Sequence, residues 1–277
     1  MKNNFPIGIF DSGIGGLTVV KEVINILPQE DIIYLGDTAR VPYGIRSAET
    51  VIRYAIENTE FLLTKNIKAL VVACNTVSAV GLEELKKRIE IPVIGVLEPG
   101  AEAAVRATKN RIIGVIGTEA TISSSSYKKT ILRIEPDIAV YGKACPLFVP
   151  LVEEGWTEGK IVQSIVDKYL KDMKEMNIDT LVLGCTHYPL LKRAIQQTLG
   201  DKVTLIDSAV ETALTLRSLL IEKRLVRNNN PSPKRIFFVT DAPERFQRIG
   251  LNFVGNVITE VEKVSIPHRE VVSVDIL

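Results

Sequence analysis

Short apolar segments alternate with amphipathic segments along most of this chain, and this alternation limits the folds that it can adopt. Short apolar runs are typical of buried strands, whereas the segments between them repeat their apolar residues with the period of an α-helix. Strand and helix in alternation predict an α/β fold with mostly parallel sheet and helices on both faces. The predicted strands cover residues 7–10, 32–35, 69–73, 93–96, 112–116, 138–141, 180–184, 203–206 and 236–239, and the clearest predicted helices cover residues 17–27, 48–63, 77–89, 161–173 and 210–220.

The order of the predicted elements occurs twice. Ile7-Gly8-Ile9 opens the first series, Ile113-Gly114-Val115 opens the second, and each series leads to a strand that ends at a cysteine. We therefore expect two similar α/β domains that face one another. Because parallel sheets bind ligands beyond the carboxyl ends of their strands, the active site is expected in the interdomain cleft.

The charge of the chain is almost balanced, which excludes several classes of partner. Its 277 residues include 34 basic and 33 acidic side chains, for a net charge of +1. Without a dense basic run, neither nucleic acid nor an acidic membrane surface is an expected partner. The N-terminal segment does not have the pattern of a secretory signal, and no segment is apolar over the length of a membrane span, so we expect a cytoplasmic protein.

Two of the three cysteines stand where chemistry is expected. Cys74 and Cys185 each end an apolar strand and precede polar side chains, in Asn75-Thr76 and Thr186-His187. If a helix begins at each point, its amide groups lower the pKa of the thiol and can also bind a carboxylate. Cys145 has no acid, base or helix start beside it and is predicted to be a buried packing residue. We expect all three to be free thiols, as is normal in the cytosol.

Two strand-end thiols suit a reaction that needs two bases. Removing a proton from one face of a carbon and returning a proton to the other face requires opposed acid–base groups, and this chain supplies one thiol in each predicted domain. His187 lies two residues after Cys185 and is a candidate to carry a proton or to stabilise a thiolate. His268, in the polar C-terminal tail, has no such neighbours and is left out of the predicted site.

Other polar segments follow strands but are less specific. Residues 11–16 form a glycine-rich turn or half of a dinucleotide fingerprint, yet Thr18 replaces the third glycine, and Asp37 only weakly resembles a ribose-binding acid. Residues 37–44 read as a rigid turn because they contain proline and glycine. On charge alone, Glu153-Glu154 reads as a solvated helix end.

Four motifs, taken together and in order, resemble those of the glutamate racemases. They are Phe10-Asp11-Ser12-Gly13, Gly36-Asp37-Thr38-Ala39-Arg40-Val41-Pro42-Tyr43-Gly44, Ala73-Cys74-Asn75-Thr76 and Gly184-Cys185-Thr186-His187-Tyr188-Pro189. The resemblance extends over nearly the whole chain, including Glu98-Pro99-Gly100 and residues 145–155. It places the chain in the aspartate/glutamate racemase superfamily.

The resemblance implies an isomerase that interconverts L- and D-glutamate without a cofactor or a metal and supplies D-glutamate for bacterial peptidoglycan, the cell wall and cell shape. It implies that Cys74 takes the α-proton of the D-isomer and that Cys185 takes that of the L-isomer. The implied assisting residues are Asp11 for Cys74 and His187 for Cys185, with Glu153 and Asp37 in support. The implied substrate-binding residues are Asp11, Ser12, Tyr43, Gly44, Asn75, Thr76, Thr186 and His187, with Thr118 and Thr121 as further candidates.

The resemblance also implies that the C-terminal segment returns to the first domain. The expected domains are residues 1–96 plus 207–277, which carry Cys74, and residues 97–206, which carry Cys185. The expected partner is a small-molecule substrate, and the expected assembly is a homodimer.

Three other functions remain open on the sequence. An aspartate racemase would keep the fold and the paired cysteines. A zinc hydrolase could use Cys74, Cys185 and His187 as ligands, although the chain has no closely spaced ligand pair. A non-catalytic amino-acid-binding protein would use the same cleft without turnover.

Overall fold

A computed structural model describes residues 2–266 and contains two parallel sheets with helices packed around them. The strands are β1 (Ile7–Asp11), β2 (Ile32–Gly36), β3 (Ala69–Val72), β4 (Val93–Gly95), β5 (Ile112–Gly117), β6 (Ala139–Ala144), β7 (Thr180–Gly184), β8 (Thr204–Asp207), β9 (Arg235–Val239) and β10 (Val261–Lys263). The α-helices are α1 (Leu17–Ile26), α2 (Ala48–Leu63), α3 (Asn75–Val80), α4 (Leu82–Arg88), α5 (Leu97–Ala107), α6 (Glu119–Ser123), α7 (Ser126–Ile134), α8 (Phe148–Glu153), α9 (Lys160–Glu175), α10 (Lys192–Leu199), α11 (Ser208–Glu222) and α12 (Pro243–Val254). Short 3-10 helices cover Lys2–Asn4, Tyr43–Ile45, Tyr188–Leu191 and Gly255–Val257.

The larger sheet has the strand order β10-β9-β2-β1-β3-β4, and the smaller sheet has the order β6-β5-β7-β8. Every strand pair in both sheets is parallel. The predicted α/β class with mostly parallel sheet is therefore confirmed. Parallel strands all end at one edge, so each sheet presents its strand-end residues together.

The two sheets share one arrangement of their first four strands. The order β2-β1-β3-β4 in the larger sheet corresponds to β6-β5-β7-β8 in the smaller one. Gly8 and Gly114 occupy matching places in β1 and β5, and a Cβ atom on either would lie 2.6 or 2.8 Å from the Cδ1 of Ile67 or Ile178. Glycine thus lets the residue just before each cysteine-bearing strand pack closely. The repeat noticed in the sequence is present in the topology.

The predicted elements differ from the structure in a few places. All nine predicted strands are present, but β10 was not predicted because Val261-Glu262-Lys263 is too short and polar to read as a strand. The single helix predicted over residues 77–89 is wrong, because the chain breaks at Gly81 into α3 and α4. Helix α5 was also missed, since Pro99 and Gly100 lie in its first turns.

Strands β1, β3 and β7 are buried along their whole length. No helix of the described chain is both long enough and apolar enough to cross a membrane. The domain bounds, residues 1–96 plus 207–277 and residues 97–206, remain a prediction, and residues 267–277, with His268, lie outside the described part.

Candidate active site

Cys74 and Cys185 occupy equivalent positions in the two sheets. Cys74 follows β3, which pairs with the central strand β1, and Cys185 follows β7, which pairs with the central strand β5. The two residues are only 5% and 6% exposed. All three cysteines are free, and Cys145 is fully buried, as predicted for a packing residue.

The expected helix start at each thiol is present on one side only. Cys74 is the N-cap residue of α3. Cys185 instead begins a turn in which the amide of Tyr188 donates to the Cys185 carbonyl at 3.1 Å, and a 3-10 helix starts only at Tyr188. The prediction of a helix N-terminus beside Cys185 was therefore wrong, and the partner of this sulfur is a side chain.

Cys74 lies in a buried and anionic environment. Its thiol donates to the Ser12 hydroxyl at 3.6 Å. Burial and then the charge of Asp11 raise the pKa of Cys74 to about 12, although the amide of Val77 and the Ser12 hydroxyl oppose this shift. The expected lowering of this pKa was wrong because desolvation outweighs the short helix. The charge of Cys185 also raises this pKa, so the two sulfurs lie within electrostatic reach.

Asp11 is the last residue of β1, and only one of its two carboxylate oxygens accepts a hydrogen bond within the described structure. Its Oδ2 accepts from the Gly13 amide at 3.1 Å, whereas its Oδ1 is buried and has no partner within the described structure. Burial raises the pKa of Asp11, while the positive charge of His187 and the loop amides act in the opposite direction. A buried acceptor without a donor is costly, which makes Oδ1 a candidate to bind a positively charged group.

His187 connects Cys185 to two further charged residues. Its Nδ1 lies 3.8 Å from the Cys185 sulfur, and its Nε2 lies 3.3 Å from Oε1 of Glu153. Burial lowers the pKa of His187, but the hydrogen bonds to Cys185 and Glu153 outweigh it and raise this pKa to about 10. This shift favours the imidazolium form of His187, in which both ring nitrogens are hydrogen-bond donors. Arg245 donates to the other oxygen of Glu153, Oε2, at 3.1 Å.

Glu153 was read on charge alone as part of a solvated helix end, and this reading was wrong. Its side chain is only 22% exposed, whereas its neighbour Glu154 is exposed. Burial raises the pKa of Glu153, but His187 and Arg245 outweigh it and hold the pKa below its usual value.

The carboxyl edges of the two sheets meet at residues that follow β1 and β7. Thr18 donates to the carbonyl oxygens of Gly15 at 2.9 Å and of Thr186 at 3.1 Å. Gly15 lies directly against the site, since a Cβ atom there would be 2.2 Å from Thr186 Oγ1 and 2.4 Å from His187 Nδ1. The glycine-rich turn after β1 therefore allows close packing against Thr186 and His187, the two residues that follow Cys185.

Three threonine hydroxyls form a second contact between the sheets. Thr118 Oγ1 lies 3.0 Å from Oγ1 of both Thr76 and Thr121, and Thr76 Oγ1 lies 3.4 Å from Thr121 Oγ1. Gly44 packs against the side chain of Thr118. The structure thus brings Thr76, Thr118, Thr121 and Gly44 together, next to the start of α3.

Asn75 is held by a residue that belongs to none of the sequence motifs. Tyr127, on α7, donates to Asn75 Oδ1 at 2.6 Å and is itself hydrogen-bonded to Ser208. Asn75 Nδ2 is buried and has no partner within the described structure. The amide is therefore held with its donor end unoccupied.

Asp37 and the phenol of Tyr43 belong to a different network. Tyr43 donates to Asp37, which also accepts from Arg40 at 2.6 Å and from Thr240 at 2.9 Å. Asn58 donates to the Tyr43 hydroxyl at 3.2 Å. Within residues 2–266 Asp37 makes no hydrogen bond to either thiol, so the structure does not bring it into the site.

No group of three or more His, Cys, Asp or Glu side chains in the described part of the chain is arranged to hold a metal ion. The two residues that sequence reasoning missed are Tyr127 and Arg245. No motif contains either of them, because each acts only through a long-range contact with a predicted site residue.

The comparisons with known proteins agree with this geometry. A family model for Asp/Glu/hydantoin racemases matches residues 7–216. The glutamate racemase of Geobacter metallireducens is 54% identical over 260 residues, or 94% of this chain and 96% of that protein. The crystal structure of a Bacillus anthracis glutamate racemase isoform has a TM-score of 0.92 at 44% identity, covering 96% of this chain and 99% of that one. The Francisella tularensis glutamate racemase, solved in complex with D-glutamate, has a TM-score of 0.90 at 42% identity, with coverages of 95% and 98%.

The aspartate racemases are more distant. An aspartate racemase homologue from Pyrococcus horikoshii is 21% identical with a TM-score of 0.55 and covers 79% of this chain and 99% of that one, which is a likeness of fold alone. The resemblance carried by the four motifs is confirmed: the chain belongs to the Asp/Glu/hydantoin racemase family and lies on its glutamate racemase branch.

Proposed function

We propose that this protein interconverts L- and D-glutamate by proton transfer between Cys74, Cys185 and the α-carbon. The observation that carries this proposal is the pair of buried thiols at equivalent strand ends of two sheets whose carboxyl edges meet. Each thiol also has its own partner, Ser12 and Asp11 for Cys74 and His187 for Cys185.

The chemistry in the L to D direction begins with Cys185 as the base. The Cys185 thiolate, stabilised by the His187 imidazolium, takes the α-proton, and the electron pair of the broken C–H bond remains on the substrate carbanion. The Cys74 thiol then donates its proton to the opposite face, and Cys74 becomes the thiolate. In the D to L direction the two cysteines exchange roles. The raised pKa of Cys74 supports its part as the proton donor.

The removal of an α-proton next to a carboxylate builds negative charge, which fixed dipoles can stabilise. Asn75 Nδ2 is an unused buried donor, and the hydroxyls of Thr76, Thr118, Thr121 and Thr186 add further donors. We assign these groups to the substrate carboxylates. The unused Oδ1 of Asp11 suits the α-ammonium group, since that contact would satisfy both charges.

Ser12, Tyr43, Gly44 and His187 complete the proposed binding site. The Tyr43 phenol is occupied by Asp37 and Asn58, so the backbone of Tyr43 and Gly44 is the part assigned to the substrate. Because both thiols are almost fully buried, the two halves must separate to admit glutamate and close again for the reaction.

The deciding experiment follows the circular dichroism of L-glutamate and then of D-glutamate with the purified protein in D2O, with EDTA present and without added pyridoxal phosphate. The signal should decay to zero from both sides, and mass spectrometry should find deuterium at the α-carbon. Decay with aspartate but not glutamate would favour an aspartate racemase. Activity that appears only when zinc is restored would favour a metal hydrolase or another metal enzyme.

The chain offers a matched control for the two cysteines. Cys74→Ala and Cys185→Ala should abolish racemisation, whereas Cys145→Ala should retain it because the Cys145 thiol donates to the backbone carbonyl of Lys143 and not to a proposed site residue. A protein that binds glutamate equally well in all three variants and never racemises it would be a binding protein.

As the wider role we propose a cytoplasmic homodimer that supplies D-glutamate for peptidoglycan synthesis. Complementation of a D-glutamate auxotroph tests the supply of D-glutamate.

A further inference from the structure

Helix α12 reaches from the larger sheet to the charged residues beside Cys185. It connects β9 to β10, whereas Glu153 ends α8 and His187 follows β7 of the smaller sheet. The helix is anchored by Phe246 and Ile249, which are buried. This packing holds α12 in place, so side chains on the helix face toward Glu153 and His187 have defined positions.

Two side chains of α12 contact the His187–Glu153 pair, one at the imidazole and one at the carboxylate. The Phe253 ring packs edge-on against the His187 imidazole, with ring centroids 5.8 Å apart. About two helical turns earlier, the Arg245 guanidinium donates to Oε2 of Glu153 at 3.1 Å, while Oε1 of the same carboxylate lies 3.3 Å from Nε2 of His187. The imidazole and its carboxylate partner are thus both held by one helix.

An isolated surface ion pair contributes little, but this pair is not isolated. Glu153 is only 22% exposed, and both of its oxygens are engaged, so Arg245 fixes the direction in which the other oxygen points. If Arg245 is removed, the carboxylate is free to rotate toward solvent on the side where Arg245 now lies. The hydrogen bond that orients His187 toward Cys185 would then weaken.

We propose that Arg245 is a positioning residue for the proton transfer at Cys185, acting through Glu153 and His187. The inference depends on the proposed racemase function, since the group that it serves is the Cys185 acid–base pair. The charged or titratable groups around His187 in this arrangement are Cys185, Glu153 and Asp11, with Arg245 beyond Glu153.

The test measures kcat and KM in both directions for wild type, Arg245→Met and Arg245→Lys. Arg245→Met should lower kcat by about ten-fold or more, as expected when a reacting group is misplaced, with KM changed by less than about two-fold. Arg245→Lys should restore most of the activity, because an ammonium can still bind one carboxylate oxygen. Arg248→Met is the matched control, since Arg248 is an exposed arginine of the same helix.

A spectroscopic measurement separates positioning from a general effect on structure. The chain has two histidines, so 15N-histidine labelling gives two imidazole spin systems, and His268→Gln assigns them. The His187 signals in Arg245→Met should move toward those in Glu153→Gln, whereas those in Arg248→Met should match the wild type.

Unchanged kcat and unchanged His187 signals in Arg245→Met would overturn the proposal. So would a rise in KM alone, since that result would limit Arg245 to substrate binding or closure. If the wild type and Arg248→Met do not racemise glutamate, the proposed function fails instead, and the imidazole spectra still report whether Arg245 orients His187.

Discussion

The phenol of Tyr127 donates a hydrogen bond of 2.6 Å to Oδ1 of Asn75, across the junction between the two sheets. Because Oδ1 is occupied, the unpartnered Nδ2 donor is the end of the amide left for a ligand. Tyr127, on α7, thus determines how the side chain of Asn75, the residue after Cys74, is oriented.

Replacing Tyr127 with phenylalanine should weaken substrate binding. The change leaves Asn75 Oδ1 without its donor, so the amide can reorient, and KM should rise by about five-fold or more while unfolding free energy falls by about 1–2 kcal/mol. Steady-state kinetics and urea denaturation measure these effects. Tyr141→Phe is the control, because Tyr141 is 39% exposed in β6. Equal KM values in the two variants would contradict this role for Tyr127.

Single cysteine variants should reveal which face each thiol serves. In D2O, Cys74→Ala retains Cys185, so it should exchange the α-proton of L-glutamate for deuterium without producing the D-isomer. Cys185→Ala should do the same for D-glutamate only. Both should lose racemisation by about 1,000-fold or more, within the range for loss of an acid–base group. Chiral chromatography with mass spectrometry measures both quantities, and exchange of the same isomer by both variants would reverse or remove the assignment.

Much of the candidate site could be predicted from the sequence because its residues lie at or just after the ends of apolar strands. Asp11 is the last residue of an apolar strand, and Cys74 and Cys185 directly follow apolar strands. Parallel strands bring such residues to one edge of their sheet. Tyr127 and Arg245 could not be found this way, since their importance comes from contacts 52 and 92 residues away in the chain. The direction of the Cys74 pKa shift was also missed. A strand-end position suggests a helix dipole, but burial depends on the opposing half of the molecule.

Substitution of Gly15 by alanine should damage the site more than the fold. The added Cβ would lie 2.2 Å from Thr186 Oγ1 and 2.4 Å from His187 Nδ1, so these two groups of the proposed site must move. We expect kcat/KM to fall by about 100-fold and the unfolding free energy to fall by about 1–3 kcal/mol. Gly81→Ala is the control, because its nearest contact would be an ordinary 3.4 Å. Wild-type activity in Gly15→Ala would contradict the close contact of this turn with Thr186 and His187.

Because His187 has a raised pKa, the free energy of unfolding should decrease as the pH becomes alkaline. Its pKa is about 10 in the folded protein and 6.5 as the ordinary value, so the folded state binds one proton more between these pH values. Its contribution to stability is complete below pH 6.5 and is lost as the pH rises through about 10. The buried Cys74 thiol adds a loss of the same sign above its ordinary pKa of 9.0. Urea midpoints should therefore fall from pH 6 to pH 9 in the wild type and in His268→Gln, and fall less in His187→Gln. Parallel pH profiles for all three proteins would mean that His187 is not held as a cation by Glu153 and Cys185.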